Sequence, residues 1–550
     1  MRRDAEFLFV PAKPPDDGGW PGLRPSSTVV DGIVVEIDVP VTLRDGTRVY
    51  VDVRRPDRYE PVPVLIAYAP YGKHLPFPEI LLANAGIEPP LPDCAPFEAP
   101  LAEYWVPHGY AVVYADPRGA WGSEGDQTQY SVQQAEDGYD LVEWAGTQPW
   151  SNGRVGLSGV SYLAMTQYGI ASLRPPHLAA INPSDGISDL YRESVFQGGI
   201  PETQFTANVS VRSGYGLNRT EDVRSEMLGH PFIDDLWESK NAELEAIHVP
   251  AFFVCSVGNQ GLHTRGTLEA YRRASSAQKW LDIHGSKEWR YYYRPENMDR
   301  QRAFFDHFLK GLDTEIASWP LVSVELRDQA ETGPVRHYAS WPIPNTRHID
   351  LHLDASTGTM LREPTIPASV SYDPAKSPPR EAGRERATFD VTFDTEMALA
   401  GYASLTVWVE SPGAANIDLF VTLDKIGADG RRVNYPFFAC FDDGPLATGW
   451  MRATRRELDP ERSTPEQPVQ AHKRDLPLPE GPVQLDIEIW PFTALFHTGE
   501  TLRLTIAGAD INRWPPEQFA PGHDFLANTA PHIIHTGGEN RSVLLLPVVP

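Results

Sequence analysis

The sequence predicts an α/β protein followed by an all-β domain. Up to about residue 317, buried apolar strands alternate with stretches of helical spacing, which indicates a mostly parallel sheet with helices on both faces. A polar, helix-like segment at 186–247 interrupts this alternation, and we interpret it as a cap inserted between sheet strands. From residue 318 the pattern changes to short alternating strands separated by Pro, Gly and Asp, which is typical of an antiparallel sandwich.

Length and charge limit the class of protein further. A chain of 550 residues is too long for one core, so two or three domains are expected. Its 74 acidic and 48 basic residues give a formal net charge of −26, which argues against nucleic acid and against an anionic membrane surface as partners.

The three cysteines, Cys94, Cys255 and Cys440, lie far apart and match no metal-binding spacing. A reducing cytoplasmic location is the simplest explanation. No long apolar run follows Arg2 and Arg3, so we expect neither a signal peptide nor a membrane span.

The individual elements follow from local patterns. Residues 1–30 are rich in Pro and Gly and indicate an irregular arm, whereas Asp45-Gly46 between two alternating runs predicts a hairpin. Residues 75–103 form a proline-rich insertion that is too long for a simple connection, and we interpret it as part of the rim of a site. The remaining strands and helices of the first part are predicted at 63–69, 111–115, 132–147, 154–157, 249–255, 279–283 and in a helix ending at Gly311.

One strand meets a helix at a sharp turn, Gly159-Val160-Ser161-Tyr162. A serine at such a turn exposes its hydroxyl above the sheet, and the next amide lies at a helix N-terminus, where an oxyanion can bind. Small residues are needed where strand and helix pass closely, and Gly159 and Ala164 satisfy that need. Ser161 is therefore the candidate nucleophile, and Ser158, which precedes the required glycine, is interpreted as structural.

Further motifs surround this turn. Upstream lie Glu136-Asp137-Gly138-Tyr139-Asp140 and Gln148-Pro149-Trp150-Ser151-Asn152-Gly153-Arg154-Val155-Gly156. Together with Ser161-Tyr162-Leu163-Ala164 they resemble the CocE/NonD family of serine hydrolases, which includes cocaine esterase, glutaryl acylases, α-amino-acid ester hydrolases and X-Pro dipeptidyl peptidases. The resemblance implies an α/β-hydrolase core (1–185 and 248–317), an inserted helical cap (186–247) and a C-terminal jelly-roll sandwich (318–550).

The chain departs from the family pattern where the acid and the base are expected. Better-known members carry a Trp-x-Asp motif for the acid, but this chain has Val257-Gly258-Asn259. They carry Gly-Pro-Trp-x-His for the base, but here the segment is His284-Gly285-Ser286-Lys287-Glu288. Asn259 thus stands at the expected aspartate and Glu288 at the expected histidine.

Three arrangements follow for activation of the serine, which needs an imidazole that a third group orients. In the preferred one, His284 is the base and Asn259 or Glu288 orients it. In the second, His263 is the base and Glu288 the acid, so that the two loops exchange roles. In the third, the relay is lost and Ser161 performs no conventional hydrolysis.

Two groups are candidates for the oxyanion hole. One is the backbone amide of Tyr162, directly after the nucleophile. The other is implied by the resemblance: Tyr71 follows a sheet strand in Pro70-Tyr71-Gly72, and family members with a tyrosine there use its hydroxyl.

We therefore predict a serine esterase or amidase that cleaves a small-molecule ester or amide through an acyl-enzyme on Ser161. One alternative is an acyltransferase or cyclase that uses the same serine, and another is a non-catalytic relative that binds a small ligand. No cofactor and no metal site are predicted, because the histidines are scattered and no Cys pair is present. A small acyl substrate is the expected partner, and a homo-oligomer is possible.

Overall fold

Two large β-sheets dominate a computed structural model of the chain, which describes residues 5–58, 60–92, 95–374, 386–511 and 520–550. Cys94 lies outside the described residues. Each sheet contains eleven strands, and each has its own large apolar core.

The strands of the first part of the chain are β1 (Phe9–Pro11), β2 (Ser26–Val30), β3 (Ile33–Thr42), β4 (Arg48–Pro56), β5 (Val62–Tyr68), β6 (Ala111–Asp116), β7 (Ser151–Val160), β8 (Leu178–Ser184), β9 (Phe196–Gln197), β10 (Ile200–Pro201), β11 (Arg219–Glu221), β12 (Ala251–Ser256), β13 (Lys279–His284), β14 (Val322–Glu325) and β15 (Val335–Tyr338). The α-helices are α1 (Glu79–Ala85), α2 (Ala102–Trp105), α3 (Val132–Gly146), α4 (Tyr162–Ser172), α5 (Phe205–Arg212), α6 (Val223–Gly229), α7 (Asp235–Ser239), α8 (Thr264–Arg273), α9 (Glu288–Tyr292) and α10 (Pro295–Lys310). The strands of the C-terminal part are β16 (Arg347–Asp354), β17 (Thr359–Leu361), β18 (Ala368–Tyr372), β19 (Arg386–Thr392), β20 (Met397–Glu410), β21 (Asp418–Ile426), β22 (Tyr435–Phe437), β23 (Phe441–Gly444), β24 (Ala447–Arg452), β25 (Val483–Phe496), β26 (Thr501–Ala507), β27 (His532–Thr536) and β28 (Val543–Val548).

The first sheet has the strand order β15-β14-β13-β12-β8-β7-β5-β6-β4-β3-β2. The strands from β14 to β6 in this order pair in parallel, and antiparallel strands extend both edges. Strand β7 lies between β5 and β8, so the residue that follows it emerges near the middle of the sheet. Ligands of such sheets bind at the carboxyl ends of the strands.

Local sequence explains the helices that pack on this sheet. Helix α3 begins at the predicted residue because the Ser131 hydroxyl accepts a hydrogen bond from the Gln134 amide, which satisfies one free N–H of the first turn. Helix α10 ends before Gly311, which adopts a φ of 70° that glycine tolerates without strain. Its buried face carries Phe304 and Phe305 into the core beneath β7 and β8.

The first two strands beyond residue 318 do not join the C-terminal sheet. Strand β14 pairs in parallel with β13, and β15 pairs with β14, so both extend the first sheet, whereas the sequence pattern places the strand at 321–326 in the sandwich. The domain boundary at 318 stays a prediction. Alternating short strands look alike whether they join the edge of an α/β sheet or a sandwich, and the partner strand decides between the two.

The C-terminal sheet follows the order β18-β27-β20-β28-β16-β17-β19-β26-β21-β24, and β25 pairs with β20. All of its pairs are antiparallel except β17 with β19, which agrees with the predicted all-β character of this part. The jelly-roll connection of these strands stays a prediction.

The segment 186–247 holds three short α-helices, α5 to α7, with a turn of π-helix at Tyr191–Val195. Strand β11 of this segment pairs with β1 of the N-terminal arm, so the arm lies against it. Its function as a cap stays a prediction. Among the described residues, no helix combines the length and apolarity that crossing a membrane requires.

Candidate active site

Ser161 occupies the turn between β7 and α4. Its backbone has φ 58° and ψ −116°, a conformation that costs a non-glycine residue about 1–3 kcal/mol and that clusters at functional sites. Gly159 has a φ of 145°, and a Cβ at this position would lie 2.5 Å from the side chain of Leu163. The close approach of strand and helix thus explains the glycine that the sequence places two residues before the serine.

The hydroxyl of Ser161 lies next to the imidazole of His263. Ser161 Oγ lies 3.2 Å from His263 Nε2, within hydrogen-bonding distance. His263 precedes helix α8 and is 1% exposed, because the loop after β12 folds back so that the amides of His263 and Thr264 both donate to the Asn259 carbonyl. The structure thus places His263 beside the serine.

A carboxylate and an amide hold the far side of this ring. His263 Nδ1 donates to Glu288 Oε2 over 2.9 Å, which leaves the lone pair of Nε2 directed at Ser161. The Asn259 side-chain amide donates to the same Glu288 oxygen, and its nitrogen lies 2.7 Å from His263 Nδ1. Glu288 Oε2 is therefore an acceptor shared by two donors, and the bond from Asn259 positions the carboxylate beside the ring.

The preference for His284 as the base is not supported. His284 is the last residue of β13 and pairs with Ser256, so the pleat of the strand sets the direction of its side chain. Its ring stacks on that of Tyr291 at 3.6 Å between centroids, with 2° between the planes. Its ring nitrogens bond to no side chain among the described residues, and the polar group beside them is the Ser286 backbone. The site thus matches the arrangement in which the two loops exchange roles.

Two hydrogen-bond donors lie beside the Ser161 hydroxyl. Tyr162 is the first residue of α4, and its amide N–H has no carbonyl to bond within the helix. The Tyr71 phenol interacts with the Ser161 hydroxyl, while burial raises its pKa well above the usual value, so it remains a hydrogen-bond donor. The Tyr162 phenol is bonded to Gln134 instead, so only its backbone is available here.

A largely apolar pocket of about 290 Å³ opens onto Ser161. Several parts of the chain line it, among them the insertion, the segment 186–247, the loops after β12 and β13, and the C-terminal part. They include Leu75, Pro76, Pro78, Leu81, Phe97, Phe205, Val209, Leu262, Trp289, Phe438, Ala439 and Cys440. The predicted role of 75–103 as a rim agrees with this lining. Burial raises the pKa of the Cys440 thiol to about 12, so it remains neutral.

Burial acts in opposite directions on the acid and the base. It lowers the pKa of His263 to about 4, against an opposing effect of Asp185, and it raises that of Glu288 to about 8, against the hydrogen bond from Asn259. Each shift disfavours the charged form. Because the two groups share a hydrogen bond, they titrate as a pair.

This pairing predicts the acid side of the pH profile. In the reactive form His263 is neutral and its Nδ1–H donates to an ionised Glu288. This form arises only after the pair of His263 and Glu288 has released the proton that it holds at lower pH. We expect kcat/KM for a p-nitrophenyl ester to rise with pH and to level off above about 8, the pKa of Glu288. Steady-state kinetics across pH 5–10, with circular dichroism as the control for folding, would check this. A plateau already at pH 5 would contradict it.

Three residues of the site were not predicted from the sequence. Glu98 and Trp289 line the pocket, and the buried carboxyl of Asp185 follows β8 and accepts the Ser256 amide at 2.7 Å. Asp185 could have been found from its place after a sheet strand. Glu98 could not, since nothing in the proline-rich insertion distinguishes it from its neighbours.

A serine on a strand–turn–helix junction, an imidazole and a carboxylate, assembled at the carboxyl edge of a parallel sheet, define the α/β-hydrolase class. Residues 45–220 match the family model of X-Pro dipeptidyl-peptidase (S15 family), and residues 315–545 match its C-terminal non-catalytic domain. A solved hydrolase of the CocE/NonD family is 34% identical to this chain and covers 98% of it, so the chain belongs to that family.

Known proteins similar to this chain support that assignment. The crystal structure of a CocE/NonD family hydrolase from Staphylococcus aureus is 34% identical and superposes with a TM-score of 0.91, covering 98% of this chain and 99% of that one. Cocaine esterase from Rhodococcus sp. (strain MB1 Bresler) is 25% identical over 95% of this chain and 100% of its own length. An α-amino acid ester hydrolase shares the fold, with a TM-score of 0.71 at 16% identity over 96% of this chain and 98% of that one.

Proposed function

We propose that the protein is a serine hydrolase that cleaves a small-molecule ester or amide through an acyl-enzyme on Ser161. The observation that carries the proposal is the continuous contact from Ser161 Oγ to His263 Nε2 at 3.2 Å and from His263 Nδ1 to Glu288 Oε2 at 2.9 Å. It is the geometry in which a nucleophile, a base and an orienting acid act as one unit.

The reaction follows from these positions. Ser161 Oγ attacks the carbonyl carbon while its proton passes to His263 Nε2, and the Glu288 carboxylate stabilises the imidazolium. The negative oxygen is held by the Tyr71 phenol and the Tyr162 amide, each worth a few kcal/mol in such a site. His263 then protonates the departing alcohol or amine. A water molecule, activated by the same imidazole, releases the acid and restores the serine.

The lining of the pocket favours a bulky, uncharged acyl or leaving group. Its lining is mostly aliphatic and aromatic, and the described residues that form it include Glu98 and Glu288 but neither lysine nor arginine. A substrate carboxylate placed there would lose its hydration without gaining a cation, which is strongly unfavourable. Esters and amides with neutral, apolar acyl groups are therefore the substrates we propose.

Covalent labelling tests the proposal at its first step. We expect a fluorophosphonate probe to label the protein at Ser161 and Ser161→Ala to remain unlabelled. The matched control is Ser158→Ala, because the Ser158 hydroxyl is buried against the Tyr292 phenol at 2.8 Å, away from the pocket. Mass spectrometry of the labelled peptide locates the adduct. Labelling of Ser161→Ala, or none of the wild type, would refute the assignment.

Acyl transfer is the second candidate. It is favoured by the insertion, which contributes apolar side chains such as Leu75, Leu81 and Phe97 to the pocket. We propose that these side chains limit access of water to an acyl-enzyme. The ratio of ester hydrolysis to aminolysis in the presence of an added amine separates the two. A non-catalytic role has less support, since it depended on the missing aspartate and histidine, whose places Glu288 and His263 can fill.

A further inference from the structure

Glu98 is a buried carboxyl that the proposed reaction does not use. It is 2% exposed, lines the pocket beside Ser161, and adopts a left-handed φ of 63°. Its backbone carbonyl accepts the Val160 amide at 3.1 Å, one residue before the nucleophile. The nucleophile turn and the conformation of Glu98 thus support each other.

The hydrogen-bonding capacity of this carboxyl is only partly used. Oε1 accepts the indole N–H of Trp289 at 3.0 Å, whereas Oε2 has no partner of hydrogen-bond geometry among the described residues. The Tyr71 phenol lies against the same carboxyl and against the Ser161 hydroxyl. The single O–H of Tyr71 can therefore donate to only one of two neighbours, the Glu98 carboxyl or the group at Ser161.

The surroundings decide which carboxyl holds a proton. Glu288 accepts from both His263 and Asn259, and Asp185 accepts from the Ser256 amide. Glu98 and Asp185 each accept a single N–H, from the Trp289 indole and the Ser256 amide, and each keeps one oxygen without a hydrogen-bond partner among the described residues. Several ionised carboxylates cannot share one buried region without a cation, so carboxyls with few donors remain protonated. Of these two, Glu98 is the one that lies against the Tyr71 phenol. The titratable groups that face Glu98 are Tyr71, Tyr130, Asp185, Glu288 and Tyr293.

We propose that Glu98 is a positioning residue that, as a neutral carboxylic acid, donates its proton to the Tyr71 phenol oxygen and so directs the phenol O–H at the oxyanion. The inference rests on the proposed function, because the phenol needs an oxyanion to stabilise. When Glu98 ionises, the phenol O–H turns to the carboxylate and the oxyanion loses one donor. Burial and the neighbouring Glu288 raise the pKa of Glu98 well above its usual value, which agrees with a neutral acid.

The proposal gives the pH profile a second, descending limb. At high pH the reactive pair of His263 and Glu288 is in its active form, so a decrease in kcat there reports the ionisation of Glu98. Glu98→Gln should keep kcat within about tenfold and abolish the descending limb, because the amide N–H donates to Tyr71 at every pH. Glu98→Leu should lower kcat about 10²-fold, as does removal of one oxyanion donor.

A double-mutant cycle with Tyr71→Phe separates positioning from packing. If Glu98 acts through the phenol, Glu98→Leu should change kcat less than threefold once the hydroxyl is absent. Equal losses in both backgrounds, or a descending limb that persists in Glu98→Gln, would overturn the proposal. Melting temperatures of all variants serve as the folding control, and Glu98→Gln provides the test if Glu98→Leu fails to fold.

Failure of this proposal is distinguishable from failure of the proposed function. A wild type that a fluorophosphonate does not label would refute the serine hydrolase itself. A labelled wild type in which the two substitutions have independent effects would refute only the role of Glu98.

Discussion

Replacing His263 with Phe is expected to lower kcat/KM for a p-nitrophenyl ester by about 10⁵–10⁶-fold, the effect of removing the base from a serine–histidine–acid unit. Without the imidazole, Ser161 Oγ loses the base that lies 3.2 Å away and takes its proton. Phenylalanine fills most of the space, so the loss should appear in kcat rather than in folding. Single-turnover kinetics and fluorophosphonate labelling rates would measure it.

His284→Phe is the matched control. Both histidines are almost fully buried, at 1% and 2% exposed, and both are changed to the same side chain. Phenylalanine at 284 keeps the stack on Tyr291 and removes ring nitrogens that bond to no side chain among the described residues, so activity should stay within about tenfold of the wild type. If the His284 variant were inactive and the His263 variant active, His284 would be the base, as the sequence analysis prefers.

The nucleophile turn could be predicted because it depends on neighbours in the sequence. An apolar strand, a glycine and a run of helix formers are adjacent around Ser161, and the strand and helix are found there. The alternation of strands and helices likewise predicted the parallel sheet. These features need no knowledge of distant contacts.

The partners of the serine could not be chosen in the same way. His263 lies 102 positions from Ser161, and 25 positions separate it from Glu288, so their contact depends on how two loops fold against each other. His284 stood at the expected strand end, but the pleat directs its ring toward Tyr291. A residue type at a given position does not reveal the direction of its side chain at the end of a strand.

Replacing Glu288 with Gln is expected to cause the second large loss of activity. Asparagine in place of the orienting acid lowers turnover about 10⁴-fold in a serine–histidine–aspartate enzyme, since a neutral amide cannot balance the imidazolium. A comparable decrease in kcat is expected here. The base would then titrate without its carboxylate. Because burial lowers the pKa of His263 to about 4, the remaining activity should level off at a much lower pH than in the wild type. The pH dependence of kcat/KM for this variant would measure both changes.

A second substitution can return the carboxylate to the loop that usually carries it. The Asn259 side-chain nitrogen lies 2.7 Å from His263 Nδ1, so an aspartate oxygen at that position could accept the Nδ1–H directly. We expect Asn259→Asp combined with Glu288→Gln to recover about 10²-fold in kcat over Glu288→Gln alone and to move the acid limb back to higher pH. Asn259→Leu combined with Glu288→Gln is the control, since it changes the same residue without supplying a charge. Equal activities of the two double variants would mean that the carboxylate is not what orients and balances the imidazole, and that Glu288 serves the structure of the loop instead.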